Sequence, residues 1–222
     1  MTILSTKKLQ LNQRELLLNA GISFVAYNAI EIQPVNFTLS RKLKNVIITS
    51  QNGAKAIIKS VDKQCIENCF VVGDKTTTLL AQNGIRVTKT AQNAKELALF
   101  IAKEQHMESF TYFCGKQRRD ELPNILKEEG IVCEEVIVYE THLSKRYFDR
   151  IFDGILFFSS SGVISFTNAN PDSTETTIAF CIGQTTATSA KKYFKNVVIS
   201  NATSIESTIA KAVTTLKKQD RH

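Results

Sequence analysis

Short, nearly continuous apolar runs recur along the chain, each followed by small polar residues and then a longer stretch with helical spacing. "NVIITS" (45–50), "CFVVG" (69–73), "GILFFS" (154–159) and "IAFCIG" (178–183) are such runs. A strand apolar on both sides is buried on both faces, as in a parallel sheet covered by helices. Strands alternating with helical patterns of about 10–15 residues give the same reading. The predicted class is α/β, with parallel sheets and helices on both faces.

The pattern repeats at a fixed offset. "NVIITSQNGAKAI" (45–57) matches "GILFFSSSGVISF" (154–166), with Ser50 and Ser159 109 residues apart. "CFVVGDKTTTLLAQNGIRVTKT" (69–90) matches "AFCIGQTTATSAKKYFKNVVIS" (179–200), with Gly73 and Gly183 110 apart. "AQNAKELALFIA" (91–102) matches "ATSIESTIAKAV" (202–213). The remaining unit is out of order: "TILSTKKLQLNQRELLLNAGISFVAY" (2–27) has the plan of "TYFCGKQRRDELPNILKEEGIVCEEV" (111–136), and Gly21 and Gly130 are again 109 apart. The second copy therefore takes its missing piece from the N-terminus. The expectation is two similar domains: a discontinuous one from 1–30 and 150–222, and an inserted one from 40–132. Two extended segments, 31–39 and 133–149, would join them as a two-stranded β linker.

Ligands of open parallel sheets bind at the C-terminal ends of the strands. Here those ends read "TSQNGA", "VGDKTTT", "CGKQRR", "SSSG" and "IGQTTAT". Ser50, Asn52, Ser159, Ser160 and Ser161 stand where strand passes into helix. They can cap the helix, or leave backbone N–H groups to bind carboxylate or phosphate. Gly73 with Thr76, and Gly183 with Thr186, carry the same two readings. "GDKTTT" lacks the second glycine and Lys-Ser/Thr pair of a phosphate-binding Walker loop. Several hydroxyl-bearing loops, all at strand C-termini, suit a ligand with many separate anionic groups. Two such domains facing each other would line a cleft from both sides.

Composition narrows the classes. The balance is globular, with 43% hydrophobic and 22% charged residues. No run of 18 apolar residues exists. The opening "MTILSTKKLQ" lacks the order of a signal peptide, so a cytoplasmic protein is expected, with its five cysteines as packed free thiols. Cys65 and Cys69 have no neighbouring Cys or His to complete a zinc set. The net charge of +7 fits nucleic acid, a membrane surface or a polyanionic small molecule as partner. Basic residues are scattered apart from "RKLK" (41–44), "KQRR" (116–119) and the terminal "KKQDRH", with no aromatic interleaving of a nucleic-acid module. Of the three histidines, His106 lies in a polar connection and His222 is the last residue. No nucleophile–base pair or dinucleotide fingerprint is present. A reaction without cofactor or metal, or simple binding of an anionic metabolite by a non-catalytic two-domain protein, is what these residues leave.

One stretch stands apart. "VIVYETH" (136–142) begins as an alternating strand and ends in Tyr139, Thr141 and His142. In order and spacing, "VIITSQNGAKAI", "FVVGDKTTTLL", "CGKQRRDELPNILKEEG", "VIVYETH", "GILFFSSSGVISF" and "CIGQTTATSAKKYF" resemble the successive motifs of the uroporphyrinogen-III synthases. Three departures stand out. "STKK" replaces the family's strand-end Thr-Arg-Pro, putting Lys7 or Lys8 in the arginine's place, while Ser160 and Gln184 stand where proline is frequent.

The resemblance implies a lyase of porphyrin biosynthesis that needs no cofactor and acts on hydroxymethylbilane, a linear tetrapyrrole with eight carboxylates. The ring A hydroxyl departs as water and the macrocycle closes with ring D inverted. Closure without the enzyme gives the non-inverted isomer, so orientation is the enzyme's main task. Tyr139 matches the family's characteristic tyrosine and is the expected proton donor to the departing hydroxyl, since a phenol is ordinarily protonated at neutral pH. His142 is expected to be a bystander, and Thr141 a neighbouring contact. Substrate contacts are expected at Ser50, Asn52, Gly73, Thr76, Ser159, Ser161, Gly183, Thr185 and Thr186. A monomer that binds neither nucleic acid nor membrane is expected.

Overall fold

The computed structural model describes residues 1–38, 43–106 and 108–219; His222 and the first two residues of "RKLK" lie outside them. In chain order the elements are β1 (Thr2–Ser5), α1 (Leu11–Leu18), β2 (Ser23–Ala26), β3 (Ile30–Pro34), β4 (Leu43–Ile48), α2 (Gln51–Ser60), β5 (Ile66–Val72) and α3 (Asp74–Gln82). There follow β6 (Lys89–Ala91), α4 (Ala94–Glu104), β7 (Phe110–Gly115), α5 (Glu121–Glu128) and β8 (Cys133–Leu143). The last are β9 (Gly154–Phe157), α6 (Ser160–Ala169), β10 (Ile178–Cys181), α7 (Gln184–Ala190), β11 (Asn196–Ile199) and α8 (Ile205–Gln219). The chain divides into two compact units, one of Met1–Glu31 with His142–His222 and one of Ile32–Thr141.

The first unit holds a five-stranded sheet in the order β11-β10-β9-β1-β2, with every neighbouring pair parallel. Its centre joins distant parts of the chain, for Ile3 of β1 pairs with Gly154 of β9. Alternation along the strands splits the apolar side chains between two faces. Leu4, Ile155, Phe157 and Ala179 join one core, which includes Phe166 and Phe194. Ile3, Leu156, Ile178 and Phe180 join the other, with Leu17 and Ile209. Both faces being covered is why these runs are apolar without interruption.

The second unit holds a six-stranded sheet in the order β3-β8-β7-β4-β5-β6. The pairs from β8 to β6 are parallel. Read from β6, its first five strands follow the same path as β11-β10-β9-β1-β2, which is the structural form of the sequence repeat. Local geometry repeats as well. Gly21 and Gly130 each sit after a helix at φ 71°, where a side chain would be strained. Segments 31–39 and 133–149, expected as a linker, contribute most of β3 and all of β8. These two strands pair with each other at one edge of the second sheet, where the Val35 N–H donates to the Val138 carbonyl at 3.0 Å.

The cores rest on interlocked aromatics. Phe166 is fully buried and meets Phe157 at 5.9 Å and Phe194 at 6.4 Å between ring centroids. Phe166→Ala removes a buried ring from three elements at once and is expected to destabilise its unit by about 3–5 kcal/mol, read as a lowered urea midpoint.

Candidate functional site

The polar ends of β4, β7 and β8 come together in the second unit. β4 stops at Ile48, and the next two residues each hold a tyrosine. Thr49 Oγ1 shares a 2.8 Å hydrogen bond with the Tyr112 hydroxyl of β7. Ser50 Oγ lies 3.2 Å from the Tyr139 hydroxyl of β8. Ser50 is also the N-cap of α2, its oxygen accepting from the Gly53 N–H at 3.0 Å. One serine thus stitches the helix start to the tyrosine.

A bulge aims Tyr139. The β7–β8 register steps from Cys114↔Ile137 to Gly115↔Tyr139, leaving Val138 as the extra residue. Bulges re-aim side chains in this way, often beside functional sites. The Tyr139 ring then lies against the bare Cα of Gly115: a Cβ there would sit 2.5 Å from Tyr139 Cζ and 2.8 Å from its hydroxyl oxygen. No side chain can occupy position 115 while the ring stays.

Two cavities share Tyr139. One, of about 390 Å³, is lined by Thr49, Tyr112, Gly115, Gln92, Asn93 and the 117–119 loop. In that loop Gln117 clasps the Thr141 backbone, its Oε1 accepting from the Thr141 N–H at 3.0 Å, while Arg118 is held by Glu135 and Asp120. Lys116 pairs with Glu140 at 2.8 Å. Arg119 is exposed and makes no ion pair among the described residues. The other cavity, of about 500 Å³, lies between α2 and the segment after β3, and includes Asn52. Burial pushes the Tyr112 phenol up to about 12, against the opposing pull of its hydrogen bond from Thr49, so it remains a neutral hydroxyl. Burial likewise pushes Cys69 and Cys181 up to about 12, so neither thiol is a nucleophile at neutral pH.

In the first unit the corresponding helix starts carry the other expected residues. Ser159 caps α6, accepting from the Gly162 N–H at 3.1 Å, as Ser50 does in α2. Ser161 is half-buried in the first turn. Ser160 donates to the Thr185 carbonyl at 3.2 Å, tying the start of α6 to the start of α7. Lys7 and Lys8 are exposed just after β1. Gly73 and Gly183 both precede helices but differ: Gly73 has φ 86° and Gly183 an ordinary extended φ of −175°. Thr76 and Thr186 are buried, 5% and 4% exposed, whereas Thr185 is exposed. His142 has an interaction partner in the structure.

Sequence reasoning did not single out Thr49, Tyr112 or Gly115. Tyr112 sits in the buried run "TYFCG" and reads as core, and only the β-strand pairing brings it beside Tyr139. Gly115 is a strand-end glycine whose need appears only with the ring above it.

A sequence model described as uroporphyrinogen-III synthase HemD matches residues 13–210. The chain belongs to the uroporphyrinogen-III synthase family. The "Porphyrin biosynthesis protein HemD" of Ruminiclostridium josui is 27% identical over 224 residues, which cover 89% of this chain and 44% of that protein. The chain therefore spans less than half the length of this family relative. The fold matches a crystal structure of uroporphyrinogen-III synthetase from Helicobacter pylori 26695 with TM-score 0.70 at 18% identity, covering 96% of this chain and 99% of that one. A mutant uroporphyrinogen III synthase from the extremely thermophilic bacterium Thermus thermophilus gives TM-score 0.73 at 13% identity, covering 98% and 99%. Among the described residues no helix is long and apolar enough to cross a membrane, and no group of His, Cys, Asp and Glu could hold a metal ion.

Gly115→Ala is expected to destabilise the second unit by about 1–3 kcal/mol through overpacking against the tyrosine ring. Adding Tyr139→Ala should recover most of that loss. Urea denaturation of the two single variants and the double variant measures the coupling.

Proposed function

We propose that the chain converts hydroxymethylbilane to uroporphyrinogen III. The observation that carries the reading is Tyr139, bonded to the α2 cap and lying on a glycine, at the wall shared by two cavities. Family membership supports the same substrate.

The reaction needs a proton at one place and geometry everywhere else. The Tyr139 hydroxyl donates its proton to the ring A hydroxymethyl oxygen as the C–O bond breaks, and water departs. The electron-rich pyrrole takes up the positive charge as an azafulvene. Ring D attacks through its substituted α-carbon, the spiro intermediate fragments, and reclosure occurs through the free α-carbon. The proton lost on rearomatisation returns to the phenolate. One water is lost overall, with no change of oxidation state. Because the pyrrole drives departure, the tyrosine supplies modest assistance and the carboxylate contacts supply orientation.

Those contacts are proposed at Ser50, Asn52 and the Gly73 backbone in the second unit, and at Ser159, Ser161, the Gly183 backbone and Thr185 in the first. Helix starts with small residues offer N–H groups and hydroxyls to anions without a fixed counter-charge. Thr76 and Thr186, three residues after the two glycines, are proposed as further contacts. The net charge of +7 favours capture of a polyanion.

Freshly prepared hydroxymethylbilane given to the purified chain is expected to yield the III isomer; recovery of only isomer I overturns the assignment. Tyr139→Phe is expected to slow turnover roughly tenfold, below the ~10²–10⁴ of a full general acid, with an unchanged denaturation midpoint. Turnover equal to the parent would remove Tyr139 from the chemistry.

A further inference from the structure

The cavity between α2 and the segment after β3 has a composition unlike the rest of the site. Its floor is apolar, formed by Val35, Phe37, Ala56 and Val138, with Tyr139 closing one side. The Val35 N–H is pinned to the Val138 carbonyl at 3.0 Å, and Phe37 packs on Phe113 with 5.8 Å between ring centroids, so the floor is fixed. Lys55 and Lys59 stand on the rim, both exposed. None of the residues lining the cavity is acidic, and neither lysine has an acidic partner among the described residues.

Residues four apart on a helix are neighbours, with Cβ atoms roughly 5–6 Å apart, and like charges in that relation repel. Lys59 gains something from its place in the last turn of α2, where the helix dipole favours a cation. Lys55, in mid-helix, gains nothing of the kind. α2 carries no acidic residue to offset either charge. Two uncompensated cations one turn apart above an apolar slot of about 500 Å³ are complementary to a flat apolar group bearing two anions.

We propose that this slot holds one pyrrole ring of the substrate, with Lys55 and Lys59 each taking one of its two carboxylates. The inference rests on the synthase reading, under which eight carboxylates on four rings make two per ring. The ring packs on Val35 and Phe37 while its carboxylates reach the two ammonium groups. Tyr139 then stands at the end of the slot, so the ring gripped here fixes the distance from the tyrosine hydroxyl to the rest of the chain of pyrroles. The hydroxyl-lined helix starts give anion contacts that carry no formal charge. This slot supplies a charged anchor for one ring, and so sets register along a substrate whose four rings otherwise look alike.

The test uses the full chain and two probes. Porphobilinogen, a single pyrrole carrying one acetate and one propionate, is titrated while backbone amide shifts of Val35, Phe37 and Ala56 are followed. Those shifts are expected to move on saturation. Lys55→Gln and Lys59→Gln should each weaken binding about tenfold, as loss of a charge-assisted contact does, and Lys55→Arg should restore it. With hydroxymethylbilane, each Gln variant should raise KM about tenfold and leave most of the effect out of kcat. Lys103→Gln, which lowers net charge equally on an exposed face of α4, should not raise KM. Equal KM increases in all three Gln variants would reduce the effect to general attraction and overturn the slot. So would porphobilinogen shifts absent from Val35 and Phe37. Failure of the parent chain to form the III isomer would overturn the synthase reading instead, and porphobilinogen binding at Lys55 and Lys59 would then decide the slot by itself.

Discussion

A parallel sheet covered by helices on both faces has no solvent-facing surface of its own. Every apolar side chain of β4, β5, β7, β9 and β10 is committed to one of the two cores in its unit. Polar chemistry is therefore displaced to the strand ends, where the backbone leaves the sheet and a helix begins. Those helix starts carry unpaired N–H groups and a partial positive charge. Attraction for anions is thus a consequence of the architecture before any particular residue is chosen. The residues that follow, small and hydroxyl-bearing, keep the helix starts accessible while capping one N–H each, as Ser50 and Ser159 do.

Specific chemistry requires a departure from that regular plan. The departure is the bulge at Cys114–Gly115, which brings Tyr139 over a residue without a side chain. Three features act together there: the extra Val138, the glycine and the serine cap. Removing the glycine displaces the ring, and removing the serine unhooks both ring and helix. Beside them Tyr112, kept neutral by burial, adds a hydroxyl without adding charge. The polyanion proposed as substrate gains from such neutral donors, because an unpaired negative charge nearby would oppose binding.

The alternation of strands and helices and the offset repeat were legible in the sequence because both follow from periodicity and from apolar runs buried on two faces. The caps Ser50 and Ser159 were legible for the same reason, since a serine between a strand and a helical pattern has one obvious local role. What could not be read were relations between strands. The Thr49–Tyr112 bond joins residues 63 apart, and the Gly115–Tyr139 contact depends on a one-residue slip in register. The burial of Thr76 and Thr186, 5% and 4% exposed three residues after a loop glycine, was likewise not visible in the pattern. Lys55 and Lys59 read as scattered surface charge because most of the apolar floor beneath them, Val35, Phe37 and Val138, comes from β8 and the segment after β3, more than a dozen residues away on either side.

The two copies of the repeat differ in their tyrosines. In the second unit β8 continues past the bulge, and Tyr139 lies on that extension. Its counterpart in the first unit, β2, ends at Ala26. The next residue there is Tyr27, whose hydroxyl is buried without a hydrogen-bond partner and whose phenol burial pushes up to about 12. A tyrosine in that state packs against Phe148 and cannot present its proton to a ligand. Both units thus present helix starts with small hydroxyl-bearing residues, whereas among the described residues it is β8 whose bulge aims a phenol. Binding surface scales with the number of copies, but a single proton donor is all that one departing hydroxyl requires. The asymmetry between β2 and β8 supports the proposal that Tyr139 is that donor.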